Sequence, residues 1–163
     1  MKTCVFPGSF DPVTAGHLDL ITRASRLFDR VTAVVMINRS KTGLFPVDKR
    51  CELLRKACAH LPNVEVSQWD GLLADYMKMN GETTVLRGIR NTADFENEYT
   101  SAAANRMLYP GMETVILFAG EGKNAVSSSA VREIASFGGD ISGFVPETVC
   151  NEIKQYTEKM RNK

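Results

Sequence analysis

The sequence predicts an α/β protein: a doubly wound, all-parallel sheet of five strands with helices on both faces, in one domain spanning residues 1–163. Three observations predict it. Short β-type apolar runs recur along the chain. A stretch with apolar residues at helical spacing separates each run from the next, and strands joined through helices run parallel in a sheet covered on both faces. A Gly/Pro-rich turn, Pro7-Gly8-Ser9-Phe10-Asp11-Pro12, links the first run to the first helical stretch.

The elements follow in order. Thr3 to Phe6 reads as a buried strand, and Leu18 to Phe28 as a helix with Leu20, Ile21, Ala24, Leu27 and Phe28 on its apolar side. Val31 to Ile37 is the second strand. Val47 to His60 is the next helix, with Pro46 near its first turn and Pro62 beyond its end. Val64 to Trp69 is the third strand, and Leu72 to Met79 a helix stopped by Asn80-Gly81. Thr83 to Leu86 is the fourth strand, followed by a long helix from Ala93 to Leu108 that Pro110-Gly111 ends. Thr114 to Phe118 is the fifth strand. Ser128 to Phe137 is a helix stopped by Gly138-Gly139, and the last helix runs from Pro146 to about Arg161, with Val149, Ile153, Tyr156 and Met160 on its buried face.

Composition narrows the classes. A chain of 163 residues, 44% hydrophobic and 24% charged, is long enough for a sizeable core and ordinary for a soluble globule. The net charge of +1 argues against a bulk electrostatic grip on nucleic acid, though not against a local basic pocket for a small phosphate ligand. No apolar run approaches the roughly eighteen residues of a membrane span, and no secretory signal leads the chain. Cys4, Cys51, Cys58 and Cys150 form no Cys-x-x-Cys pair, and His17 and His60 complete no metal-ligand spacing. Cys51 and Cys58 line up with Val47, Leu54 and Leu61 on one helical stripe, as packed, reduced thiols would. The expectation is a cytoplasmic protein with no nucleic-acid or membrane partner.

The chemistry concentrates just after the strands, where ligands of such sheets bind. Between the first strand and helix lies Thr14-Ala15-Gly16-His17. A helix start offers unpaired N–H groups and the positive end of a dipole, and glycine lets an anion approach closely. His17, in the first turn, can donate to a phosphoryl oxygen as charge builds on it. Arg87-Gly88-Ile89-Arg90 sets two guanidinium forks at the end of the fourth strand. Ser127-Ser128-Ser129 can cap a helix and donate to phosphate at the same end. Lys41 sits in the loop after the second strand. Asp94 and Glu96 suit a helix's first turns by dipole compensation, and Glu98, deeper, could face the site. His60 reads as a helix-terminus residue without chemistry. There is no Gly-x-Gly-x-x-Gly, and Gly122-Lys123-Asn124 is no Walker A, since position 117 is Leu and position 124 is neither Ser nor Thr.

Thr14-x-Gly16-His17 matches the Thr-x-Gly-His pattern of the nucleotidyltransferase superfamily, shared with class I aminoacyl-tRNA synthetases. With Pro7-Gly8-Ser9-Phe10-Asp11-Pro12, Lys41, Arg87-Gly88-Ile89-Arg90, Asp94-Phe95-Glu96-x-Glu98 and Ser127-Ser128-Ser129-x-Val131-Arg132, the chain resembles the bacterial phosphopantetheine adenylyltransferase family over nearly its whole length. The resemblance implies a Rossmann-like fold and a reaction in which the phosphate of 4′-phosphopantetheine attacks the α-phosphorus of ATP, pyrophosphate leaving in line. It also implies Mg²⁺ as cofactor and a homohexamer.

The resemblance further implies site residues. Ser9 stands where the family usually has Thr, and its hydroxyl would meet substrate phosphate. Lys41, Leu73 and Arg87 match positions that hold phosphopantetheine. Phe10, His17, Gly88, Ile89, Arg90, Glu98 and the segment Lys123, Asn124, Ala125, Val126, Ser127, Ser128 and Ser129 match the ATP side, with His17 catalytic. The family commonly carries aromatics where this chain has Lys123 and Ala125. No protein metal ligands are expected. Two other readings stay open: a sister nucleotidyltransferase acting on nicotinate mononucleotide or using CTP, and a nucleotide-binding sensor without catalysis.

Overall fold

The computed structural model describes residues 1–38, 43–120 and 127–162. Strands β1 (Thr3–Gly8), β2 (Arg30–Met36), β3 (Val64–Trp69), β4 (Thr84–Ile89) and β5 (Glu113–Phe118) alternate with helices α1 (Ala15–Leu27), α2 (Val47–Cys58), α3 (Leu73–Asn80) and α4 (Thr92–Leu108), and α5 (Ser128–Ser136) and α6 (Glu147–Arg161) close the chain. The strands form one parallel sheet in the order β3-β2-β1-β4-β5. The chain winds outward from β1 to β3, then crosses back to β4, which puts the topological switch between β1 and β4.

Successive β1 residues point to opposite faces, and each face has its own core. Cys4 and Phe6 join the larger core with Leu20, Ile21 and Ala24 of α1, Leu53 and Leu54 of α2, and Val131, Val149 and Ile153 from α5 and α6. Val5 joins the smaller core with Val34, Tyr76, Met77, Val85 and Met112. Helices cover both faces, but unequally, since α4 buries none of its side chains.

The sequence misplaces some boundaries and two core residues. β4 continues through Ile89, because Gly88 and Ile89 still pair with Leu117 and Phe118; Arg87, Gly88 and Ile89 therefore lie in the strand, not after it. Glycine suits position 88 because a Cβ there would overlap Leu20 of α1, which packs close to the strand backbone. Helix α1 starts three residues earlier than Leu18, at Ala15, because Thr14 caps it. Leu27 and Met160 lie largely exposed, 58% and 49%, although their spacing suggests core. Both sit in the last turn of a helix, where the chain leaves the core. On α6 the buried positions are Val149, Cys150, Ile153 and Thr157, so the true stripe runs one residue beyond Tyr156 and ends before Met160.

Candidate active site

Pro7 explains why a recess opens at the switch. Within β1 it brings no N–H to a ladder. The register between β1 and β4 is a single pair, Val5 opposite Val85. Beyond it, the Pro7 carbonyl accepts from Nη1 of Arg87 at 2.8 Å. A recess of about 260 Å³ lies past that point, lined by Pro7, Gly8, Gly16, His17, Arg87, Gly88, Arg90 and Ser127 among others. A second, of about 200 Å³, is lined by Met36, Leu73, Ser101 and Asn105, and shares Pro7, Arg87 and Glu98 with the first. The Arg87–Glu98 pair is thus the wall between two adjoining recesses.

His17 is held in one tautomer. The Thr14 N–H donates to His17 Nδ1 at 3.1 Å, and the His17 N–H donates to Thr14 Oγ1 at 3.2 Å, a reciprocal capping box. With Nδ1 accepting, the ring proton sits on Nε2. Burial, reinforced by the cations Arg90 and Arg87, pulls the His17 pKa from 6.5 down to about 4. The ring is therefore a neutral N–H donor near pH 7, not a cation or a base. Its edges meet Phe10 at 5.0 Å and Phe6 at 6.4 Å between centroids, which fixes its plane.

The two arginines are already engaged by carboxylates. Arg87 gives Nε and Nη2 to the two oxygens of Glu98, both at 2.6 Å, so strand β4 and helix α4 are joined by a fork. Arg90 gives Nε and Nη2 to Asp94 at 2.8 and 3.1 Å. That partnership raises the Arg90 pKa and holds the Asp94 carboxyl below its usual range. Asp94 is thus more than a dipole-compensating residue. The helix cap is Asn91, whose side chain accepts from the Asp94 N–H at 2.9 Å.

The remaining expected residues divide clearly. Ser127 caps α5, accepting from the Ala130 N–H, and Ser128 Oγ donates to the Pro12 carbonyl at 2.8 Å; both line the recess. Ser129 is exposed and accepts from Arg132 instead. Ser9 is exposed in the turn after β1. Phe10 is fully buried, at φ 45°, with its ring against Gly8 and His17, so it supports the histidine from behind. Ile89 is buried in β4, and Leu73 opens α3 at the second recess. Lys41 and Lys123, Asn124, Ala125 and Val126 lie outside the described residues. Among the described residues no three His, Cys, Asp or Glu side chains are grouped to hold a metal.

One residue that the sequence quotes without a role is Asp11. It is 4% exposed, and its carboxylate accepts from the Leu44 and Phe45 N–H groups at 2.8 and 2.9 Å. The only signal for this in the sequence is an acid between two apolar turn residues.

A parallel sheet with a phosphate-type recess at its switch, a helix-start histidine and paired arginines defines a nucleotidyltransferase, and the family model of cytidylyltransferase-like proteins matches residues 5–134. A candidate nicotinate-nucleotide adenylyltransferase from Vibrio parahaemolyticus shares the fold at TM-score 0.66 over 97% of each chain, with 19% identity. Relatives named phosphopantetheine adenylyltransferase are much nearer in sequence. That of Methylococcus capsulatus is 50% identical over 88% of this chain and 89% of its own, and that of Heliobacterium modesticaldum 42% identical over 100% and 98%. The chain belongs to the phosphopantetheine adenylyltransferase family.

Proposed function

We propose that the protein transfers the adenylyl group of ATP to 4′-phosphopantetheine, giving dephospho-coenzyme A and pyrophosphate. The observation that carries this reading is the pair of adjoining recesses divided by Arg87 and Glu98. One, at two helix starts with His17 and Arg90, suits a polyphosphate. The other, beside Met36 and Leu73, suits a partly apolar acceptor arm. The relatives' shared name supplies the identity of that acceptor. A phosphate nucleophile is anionic at neutral pH, so the reaction needs no base, and a neutral His17 that only donates suits it. Positioning two polyanions and stabilising charge on the transferring group is the main task.

In this reading Ser9, Lys41, Leu73 and Arg87 serve the acceptor, and Arg90, Glu98 and the segment Lys123 to Ser129 serve ATP. Asp94 and Glu98, the acids of the first recess, are each held by an arginine. Mg²⁺ enters as part of the Mg·ATP substrate. The protein works as a homohexamer in the cytoplasm. Self-assembly is supported by the uncovered apolar side chains Phe95, Tyr99, Met107 and Phe118 on α4 and β5. The cytoplasmic setting is supported by four cysteines that are all unpaired thiols.

The test is pyrophosphate release from Mg·ATP with 4′-phosphopantetheine or nicotinate mononucleotide as acceptor. Release with the first and not the second is expected. No release above background from the folded protein overturns the reading.

A further inference from the structure

Asp11 lines neither recess, yet three segments that border the site meet on it. Its two carboxylate oxygens take the N–H groups of Leu44 and Phe45, at 2.8 and 2.9 Å, in the segment that enters α2. Arg50 of α2 stands 3.4 Å from the same carboxylate and donates from Nε to the Phe45 carbonyl at 2.7 Å. A side chain at Gly43 would overlap the Arg50 guanidinium, so the backbone passes directly over this pair. From the other side, Arg132 of α5 donates to the Asp11 carbonyl at 2.6 Å and lies 3.8 Å from its carboxylate. One residue further on, the Pro12 carbonyl takes the Ser128 hydroxyl at the α5 start.

A buried carboxylate with both oxygens in use is costly to disturb, because any lost partner leaves a desolvated charge or N–H behind. It is also an economical link. The segment that follows Lys41 in the chain takes its register from the Asp11 carboxylate, and the start of α5 takes its own from the backbone carbonyls of Asp11 and Pro12, so the β1–α1 turn ties the two together. We infer that Asp11 is a positioning residue that couples the nucleotide recess to the acceptor segment, so that occupancy at the α5 start is felt at Leu44 and Phe45. The role in turnover rests on the proposed adenylyl transfer. The coupling itself does not.

The experiment follows hydrogen exchange at the Leu44 and Phe45 amides, with and without ATP, alongside steady-state kinetics. In the unsubstituted protein saturating ATP slows exchange at both amides. Asp11→Asn keeps the size of the side chain but offers one acceptor oxygen where two are used, so exchange there becomes about 10-fold faster or more, and ATP no longer slows it. At saturating substrates its kcat falls about 10- to 100-fold while KM for ATP stays within about 3-fold, the signature of lost alignment between bound reactants. Arg132→Gln leaves the carboxylate bonds to Leu44 and Phe45 in place; it keeps near-normal exchange there but loses the ATP effect, and it decides the matter if Asp11→Asn does not fold. The inference is overturned if ATP leaves both amides unchanged in the unsubstituted protein, or if folded Asp11→Asn retains kcat. Should ATP protect the amides while no pyrophosphate is released with phosphopantetheine, the proposed reaction fails and the coupling stands.

Discussion

His17 shows how much a single side chain owes to its first helical turn. The capping box with Thr14 selects the Nε2–H tautomer, and burial beside two arginines keeps the ring neutral down to a pKa of about 4. His17→Ala should therefore lower kcat by the order of 10²-fold, as for loss of an oxyanion-type donor, with a much smaller change in ATP affinity. Steady-state kinetics and calorimetry separate the two; equal losses would mark a ground-state contact. The pH dependence follows with a definite sign. Between pH 6.5 and about 4 the unfolded histidine binds a proton that the folded one refuses. This group's contribution to stability is thus complete above 6.5 and is lost as pH falls toward 4. An NMR titration of the folded protein should show the His17 ring midpoint near 4.

Arg90 is bound to Asp94 through both ends of its fork, so a phosphate must compete with a carboxylate four residues away. Arg90→Ala should weaken ATP more than phosphopantetheine, read by titrating each ligand into each protein. Matching losses for both ligands would refute that division of the site.

Among the elements, α1 and β4 do most to shape the recess. Thr14→Ala removes the oxygen that accepts from the His17 N–H, and loss of such a cap costs about 0.5–2 kcal/mol. Chemical denaturation should show that destabilisation, together with a fall in kcat because the histidine loses part of its orientation. In β4, Gly88 lets Leu20 of α1 approach the strand backbone, and Leu20 is itself buried. Gly88→Ala forces that contact apart and should cost about 1–3 kcal/mol, the usual penalty for overpacking. A melting temperature unchanged by the substitution would mean the helix shifts without resistance.

The whole molecule is lopsided. One sheet face carries a large core under α1, α2, α5 and α6, while α4, a helix of 17 residues, buries none of its side chains. Phe118 is 73% exposed on edge strand β5, and Tyr99 is 69% exposed on α4. In the assembly proposed above, exposed apolar groups such as these would lie at an interface. Phe118→Glu or Tyr99→Glu should shift the protein to a smaller species in light scattering, with its fold retained, since exposed substitutions otherwise change stability by less than about 0.5 kcal/mol. An unchanged mass for both variants would remove this face from the assembly.

The order and type of all the elements were legible in the sequence, because each is specified locally by spacing, caps and turn residues. The Gly/Pro-rich turn before α1, the arginines at the end of β4 and the serine cap of α5 were legible for the same reason: each is a short motif beside a strand end. Other features depend on residues far apart in the chain. That Arg87 is held by Glu98, eleven positions on and in another element, follows only when β4 and α4 are side by side. The lowered pKa of His17 rests first on its burial and then on Arg90 and Arg87, all of which the fold brings about. Asp11 takes its partners 33, 34 and 121 residues away, so no local pattern announces it. Even the end of β4 was decided by its neighbour: the sequence pattern ends the strand at Leu86, but pairing with β5 carries it through Ile89. Sequence thus determined which chemistry is present and on which loops, through local propensity. Tertiary structure decided which charges meet, how far the His17 pKa falls and which faces stay uncovered, because those are set by contacts between segments that the chain itself keeps apart.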